Sequence, residues 1–298
     1  MSARTDPIVD KPLTRPLVSW RRSFARRFPL ASVAAVILAL IALATLLAPY
    51  IGTVDPIVLA PTQRLRPPSD QNWLGTDQFG RDIWSRVVYG ARVSLVVALA
   101  VATASVLIGT VIGVVAGYVR WLDGLVMRVM DGLMAIPGIL LAIALVSLSG
   151  ASQLTVITAI VVPEVPRVVR LVRSVVLSVR EEPYVEAAVA VGTPLPKLLW
   201  RHVLPNCVPP LIVQATYIAA SAMLTEAILS FLGAGTPPEI PSWGNMMAEG
   251  RTFFAIAPRI VLFPGFALAL TILAVNVVGD ALRDRLDPKL ARGMGGPR

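Results

Sequence analysis

Few residues in this chain could do chemistry, and they fall into separate groups. His202 is the single histidine and Cys207 the single cysteine among 298 residues. A His-based metal site or a Ser-His dyad would rest wholly on His202, and no partner pattern surrounds it. One cysteine makes an intrachain disulfide impossible. No G-x-x-x-x-G-K-[ST] phosphate loop, G-x-S-x-G elbow or H-E-x-x-H helix occurs. The chain therefore carries no nucleotide-hydrolysing site of its own. Glu226 is the one charge in the apolar run 208–232. A carboxylate at that depth is costly and usually faces a bundle interior or a water-filled path. The alternative is that it reaches the nearby interface. Glu164, Arg167, Arg170 and Arg173 are spaced by three, with Val165, Val168 and Val172 opposite, and Glu164 and Arg167 can pair at i, i+3.

The elements that must position these groups are membrane helices. The chain is 55% hydrophobic and 15% charged, more apolar and less charged than soluble domains. Net charge is +9. The basic residues cluster beside apolar segments, so lipid headgroups and topology explain them better than nucleic acid does. The fold class is an all-α polytopic membrane protein. Six spans are expected, near 30–50, 93–118, 132–148, 154–172, 208–232 and 260–278, with a transmembrane domain over 29–290 and tails at 1–28 and 291–298. The first apolar run is too long for a signal h-region and reads as an uncleaved anchor. Ile83, Trp84, Val87 and Val88 give one apolar face to a short surface helix, capped by Thr76 or Asp77. Gly109, Gly113 and Gly117 make two overlapping G-x-x-x-G steps that let another helix approach closely. Residues 123–131 read as a polar turn, and Gly150 lies in a second turn.

Between two apolar runs stands a charged hairpin, 181–206. Val185, Ala188 and Val189 recur at helical spacing and, with no obvious core in the chain to cover, are expected to face the cytoplasm; Gly192, which follows, can take φ > 0. Thr193 offers an N-cap and Pro194 a first helical position. Leu195, Leu198, Leu199 and Val203 form a second stripe that Pro205 is expected to end.

This hairpin resembles the EAA loop of bacterial ABC importer permeases. Glu186-Ala187-Ala188, Gly192 and Leu204-Pro205 match its fixed positions, and His202 departs by standing where an apolar residue is usual. The run Leu74-Gly75-Thr76-Asp77 through Gly80-Arg81-Asp82 and Tyr89-Gly90-Ala91-Arg92 is similar to the dipeptide/oligopeptide/nickel branch of that family. So are Phe231-Leu232-Gly233 and the ending Gly279-Asp280, Leu282-Arg283-Asp284, Leu286-Asp287-Pro288. The resemblance covers residues from about 30 to 290 and implies the type I importer permease fold. It implies the C-type subunit of a permease pair, carrying peptides, or else nickel or opine-like solutes. The implied partners are a homologous second permease subunit, two ATPase subunits that bind ATP and Mg, a periplasmic or lipid-anchored binding protein, and lipid. Tyr184, Glu186, Ala187, Ala188, Gly192, Leu204 and Pro205 would form the ATPase-coupling site, and Glu226 a point on the translocation path. An intramembrane enzyme lacks a nucleophile–base pair here, and a secondary carrier of the inverted-repeat type lacks a visible repeat.

Of the 27 Lys and Arg, 20 fall in the segments at the ends of the spans shared with the termini and the hairpin, and 7 in the opposite loops. This bias places the termini and hairpin in the cytoplasm of a bacterial inner membrane. Single cysteines at Ser69→Cys and Glu239→Cys are expected to react with a membrane-impermeant thiol reagent in cells stripped of the outer barrier, and Pro196→Cys is not. The reverse labelling would overturn the orientation.

Overall fold

A computed structural model describes residues 28–286. The expectations for the two tails and for Asp287-Pro288 lie outside these residues. Within them the chain is a helical bundle without a named strand. The first helix, α1 (Pro29–Leu46), turns Leu30, Val33, Val36, Leu40 and Leu43 outward, as a helix facing lipid does. It lies against α2 and the final helix.

The second helix, α2, runs from Ile83 to Tyr118 without interruption. At 1.5 Å per residue it is about 54 Å long, well beyond the hydrocarbon thickness. The separate surface helix expected before Val93 is thus the outer end of this one. Its N-cap is Asp82, not Thr76 or Asp77: the Asp82 carboxylate accepts from Ser85 N at 2.8 Å and Ser85 Oγ at 2.6 Å. Arg86, in the first turn of the helix, is buried and paired. It lies 3.3 Å from Glu249 and 3.8 Å from Asp77, while Arg81 binds Asp77 at 2.6 Å and also Glu249. Asp77 holds its own turn by accepting from Phe79 N and Arg81 N. Two cations and two carboxylates in one largely buried cluster balance each other's charge; removing one would strand the rest.

The polar turn expected at 123–131 is a helix, α3 (Arg120–Ala135). It meets α4 (Gly138–Ser149) at an 87° bend across Ile136 and Pro137. The third span is therefore not one straight helix over 132–148. Proline has no N–H to continue the ladder and biases the residue before it away from α geometry. Gly150, with φ +84°, ends α4, and Ser152 caps α5 (Gln153–Arg180) by accepting from Thr155 N at 3.1 Å.

The charged hairpin follows as α6 (Pro183–Ala190) and α7 (Leu195–Leu198). Thr193 does not cap α7; Pro194 occupies that place. Pro205 does not end the helix either. A π turn over Leu199–Val203 widens the backbone, with Leu204 N bonded to Leu199 O, and α8 (Leu204–Phe231) continues through Pro205, Pro209 and Pro210. A widened turn moves the carbonyl that a proline ring would strike. The loop after α8 carries α9 (Trp243–Gly250), capped by Ser242, and the last helix, α10 (Arg259–Leu286), extends past residue 278.

By length and apolarity α1, α2, α7 joined to α8, and α10 can each cross a membrane among the described residues, and the bent α3–α4 pair adds a fifth if its two arms form one span. The sixth long helix, α5, carries Glu164 and four arginines, so composition alone does not mark it. It is enclosed by protein on its valine face. Gly109, Gly113 and Gly117 of α2 lie on Val168, Val172 and Val176 of α5, and a Cβ on each glycine would come within 2.5, 2.8 and 2.8 Å of the facing valine Cβ. Both helices advance in steps of four, so they run parallel in a fixed register. The G-x-x-x-G steps are thus a packing seam. In Gly113→Leu the new side chain has no space, and we expect destabilisation of roughly 1–3 kcal/mol or more. The check is a lower thermal midpoint and a lower monodisperse yield in detergent than wild type. Gly124→Ala, at a glycine with nothing within 4 Å of its Cβ position, is the matched control.

Candidate functional site

The hairpin is braced on the bundle by its own stripe. Val185, Leu198, Val203 and Cys207 are buried and join the core formed by Val172, Val176 and Val179 of α5. Val185 therefore does not face solvent, contrary to the sequence reading. Ala188 is half-buried, and of the three residues on that stripe Val189 alone is well exposed. The reason is the direction of approach. α6 leaves α5 after a two-residue connection, Glu181 and Glu182, so the side of α6 nearest the bundle is covered first.

The geometry at Gly192 agrees with its sequence reading. Its φ is +82°, Gly192 N bonds Val189 O at 2.9 Å, and Thr193 N bonds Ala188 O at 3.0 Å. This is a Schellman closure, which needs a residue in the left-handed region. No atom lies within 4 Å of its Cβ position, so backbone conformation rather than space selects glycine there. Glu186 is exposed in the first turn of α6, where a carboxylate complements the helix dipole. Ala187 and Pro205 are exposed and Leu204 is half-buried. Tyr184 is half-exposed, and its hydroxyl accepts from Asn206 Nδ2 at 3.1 Å. Asn206 also donates to His202 O at 2.6 Å, and the rings of Tyr184 and His202 lie 6.1 Å apart. His202 and Asn206 thus tie the base of α6 to the π turn. Sequence reasoning missed this role because it depends on a contact across 22 residues. The outward surface of the hairpin comprises Tyr184, Val189, Val191, Leu195 and Trp200, with Glu186 and Ala187 among them. It is an apolar patch with an acidic residue, of the kind that marks a protein contact.

Glu226 is fully buried, and Ser230 Oγ donates to it at 2.9 Å. The start of α9 closes over this stretch: a Cβ on Gly244 would come within 2.7 Å of Ala227 Cα and of Ser230 Cβ. Glu226 does not snorkel outward; it faces the sealed interior beneath α9.

A different carboxylate borders an opening. A cavity of about 380 Å³ lies where the α3–α4 bend passes α5 and α8. Pro137, Glu164, Arg167, Tyr217, Ser221 and Thr225 belong to its wall. Arg167 donates from one terminal nitrogen to both carboxylate oxygens of Glu164, at 3.0 and 3.2 Å. Further along the same face Arg170 binds Asp131 at 2.5 Å, and Arg173 grips Asp123 through two nitrogens. No group of His, Cys, Asp and Glu among the described residues is placed to hold a metal ion.

Residues 109–292 match the family model described as binding-protein-dependent transport system inner membrane component. The chain is 55% identical over 269 residues to a probable peptide ABC transporter permease protein of Sinorhizobium fredii, covering 90% of this chain and 92% of that one. It is 43% identical over 274 residues to a dipeptide transport system permease protein of Alkalihalophilus pseudofirmus (91% and 90%). It is 39% identical over 292 residues to a glutathione transport system permease protein of Pectobacterium atrosepticum (97% of each). Among solved structures, a chain of the inward-facing MetNI methionine ABC transporter superposes with a TM-score of 0.56 at 18% identity, over 69% of this chain and 98% of that one.

The inward and outward faces of α6 are expected to respond differently to a charge. Val185→Asp buries an unpaired carboxylate in the core and should cost several kcal/mol, about 3 or more. Val189→Asp should stay within about 0.5 kcal/mol. Thermal midpoints of the two purified variants against wild type check this.

Proposed function

Because the chain belongs to the family of binding-protein-dependent transport system inner membrane components, we propose that it forms half of the translocation path of an ATP-driven peptide importer and that α6 is its coupling helix. The observation that carries the coupling role is the two-sided hairpin. Val185, Leu198 and Val203 are locked into the bundle, while Tyr184, Glu186, Ala187, Val189 and Val191 are left uncovered. A short helix rigidly joined to α5 and open on its far side transmits displacement from whatever docks there. The docking partner is one of two separate ATPase subunits, which bind ATP and Mg; this chain supplies no phosphate loop. The other partners are a homologous second permease subunit and a periplasmic or lipid-anchored binding protein. Both termini and the hairpin lie in the cytoplasm, in keeping with the charge bias.

Peptides are favoured over nickel or opine-like solutes because the similar permeases are named for peptides, dipeptides and glutathione, itself a tripeptide. The small side chains at Ala187 and Ala188 let a partner approach closely. Glu186 is free to meet a basic group on it.

The experiment is reconstitution of the whole complex with Glu186→Lys or Gly192→Val, followed by ATP hydrolysis stimulated by loaded binding protein. Gly192→Val forces a β-branched residue into positive φ and misaims α6. Stimulation is expected to fall by about tenfold or more in each, the effect of losing about 1.4 kcal/mol of docking, with the permease subunits still inserted. Wild-type stimulation and uptake in both variants would refute the coupling role.

A further inference from the structure

The cavity beside the α3–α4 bend has a composition that the coupling role does not explain. It lies halfway along α5: Arg167 is 14 residues from Gln153 and 13 from Arg180. At membrane depth charged side chains do not face lipid, yet Arg167 is nearly half-exposed, with 45% of its side chain accessible. Arg170 and Asp131 on the same face are also open, at 44% and 60%. This face of α5 must therefore look onto water or onto another subunit. The opposite face is the valine seam against α2, so α5 has one packed side and one charged side.

A break between two helices and a proline-weakened stretch of a continuous one meet at the cavity. α4 turns away at Pro137, and Gly138 lies against Pro163 of α5, 3.2 Å from its Cβ measured to a built glycine Cβ. Pro163 and Pro166 leave the carbonyls of Ala159 and Val162 without their helical donors. The uncapped start of α4 borders the same space and adds a positive partial charge. Discontinuous helices of this kind form solute sites in membrane carriers.

The hydrogen-bonding inventory points to a carboxylate ligand. Arg167 spends one nitrogen on Glu164, so its Nε–H and its other terminal nitrogen remain available. Glu164 is held in turn by Ser221 at 3.5 Å. The hydroxyls of Tyr217, Ser221 and Thr225 come from α8 at spacings of four, one helical face. A planar fork of free donors matches a carboxylate, and a row of hydroxyls serves amide groups as donor or acceptor. Glu226, the carboxylate that sequence reasoning singled out, has no part in this wall.

We propose that this cavity is a carboxylate-binding station on the translocation path, where Arg167 takes the C-terminal carboxylate of a transiting peptide and Tyr217, Ser221 and Thr225 take its amide groups. The proposal rests on the peptide-importer reading above. Arg170 and Arg173, already paired with Asp131 and Asp123, continue a polar track from the station towards the hairpin end. One carboxylate held by a half-open arginine is weak binding, which suits a site that must release its solute.

The test uses the complete complex in proteoliposomes with labelled dialanine and its binding protein. Arg167→Gln is expected to lower uptake by about tenfold, the loss of one charge-assisted contact, with Arg167→Lys intermediate. Ser221→Cys should react with a positively charged, water-soluble thiol reagent, and dialanine with loaded binding protein and ATP should slow that reaction. Leu40→Cys, on the lipid face of α1, should not react. Uptake by Arg167→Gln within about twofold of wild type, or an unreactive Ser221→Cys, overturns the station. Should Arg167→Gln fail to assemble, the labelling of Ser221→Cys decides. A wild-type complex that accumulates no dialanine, with Ser221→Cys labelled but unprotected, counts against the peptide reading and takes the station with it.

Discussion

Three glycines on α2 set against three valines on α5 hold the molecule in its arrangement. In lipid there is no hydrophobic gain from bringing two apolar helices together, so association depends on close contact. Gly109, Gly113 and Gly117 let the backbone of α2 come within reach of Val168, Val172 and Val176 at each turn. Valine adds stiffness, because its branched Cβ leaves one favoured rotamer in a helix. The seam fixes both the parallel direction and the register of α5. Since α5 passes into α6 after a two-residue connection, the seam also aims the hairpin. Val176, which covers Gly117, lies in the same core cluster as Val185 and Val203.

The second consequence is the division of α5 into two faces. Packing on α2 consumes one side, so the charged stripe has to look the other way. There Arg170 and Arg173 find Asp131 and Asp123 on α3, and Arg167 finds Glu164 on α5 itself. A helix that would be poor as an isolated membrane span becomes tenable because its neighbours supply the compensating groups. The half-open cavity follows from the same division: α3 accompanies the Arg170 and Arg173 part of the stripe, and the bend at Pro137 directs α4 onto the start of α5, leaving the stretch at Glu164 and Arg167 open between them.

At the other end of the bundle a buried ion cluster does comparable positioning. α2 is longer than a bilayer requires, and its protruding turn carries Arg86. Asp77 and Arg81 from the preceding loop and Glu249 from α9 close around it. Trp243 adds an indole N–H bond to Val87 O at 2.9 Å. Charges so enclosed give little net stability, but their loss is expensive, so they specify one way for loop, α2 and α9 to fit. That cap is also what buries Glu226.

Much of this was legible in residue order, for physical reasons. A membrane obliges each span to satisfy its own backbone, so long apolar runs read as helices. Glycines every four residues read as a close-approach face, and Gly192 read as a positive-φ closure because local backbone geometry alone demands it. The helix–turn–helix of the hairpin, whose spacing is a property of one short segment, read directly as well. What tertiary structure decided are the features that depend on residues far apart in the chain. Arg86 of α2 can be buried because Glu249, 163 positions later, lies against it. The helix passes through Pro205 because a π turn precedes it, and the third span breaks at Pro137 against Pro163. Val185 faces in and Val189 out because of how α6 meets α5. Glu164 rather than Glu226 borders an opening because α9 covers the latter. Periodicity shows that a helix has two faces; which neighbour each face meets is a matter of packing, and it is that neighbour which makes a buried charge a clasp, a seal or a wall of a path.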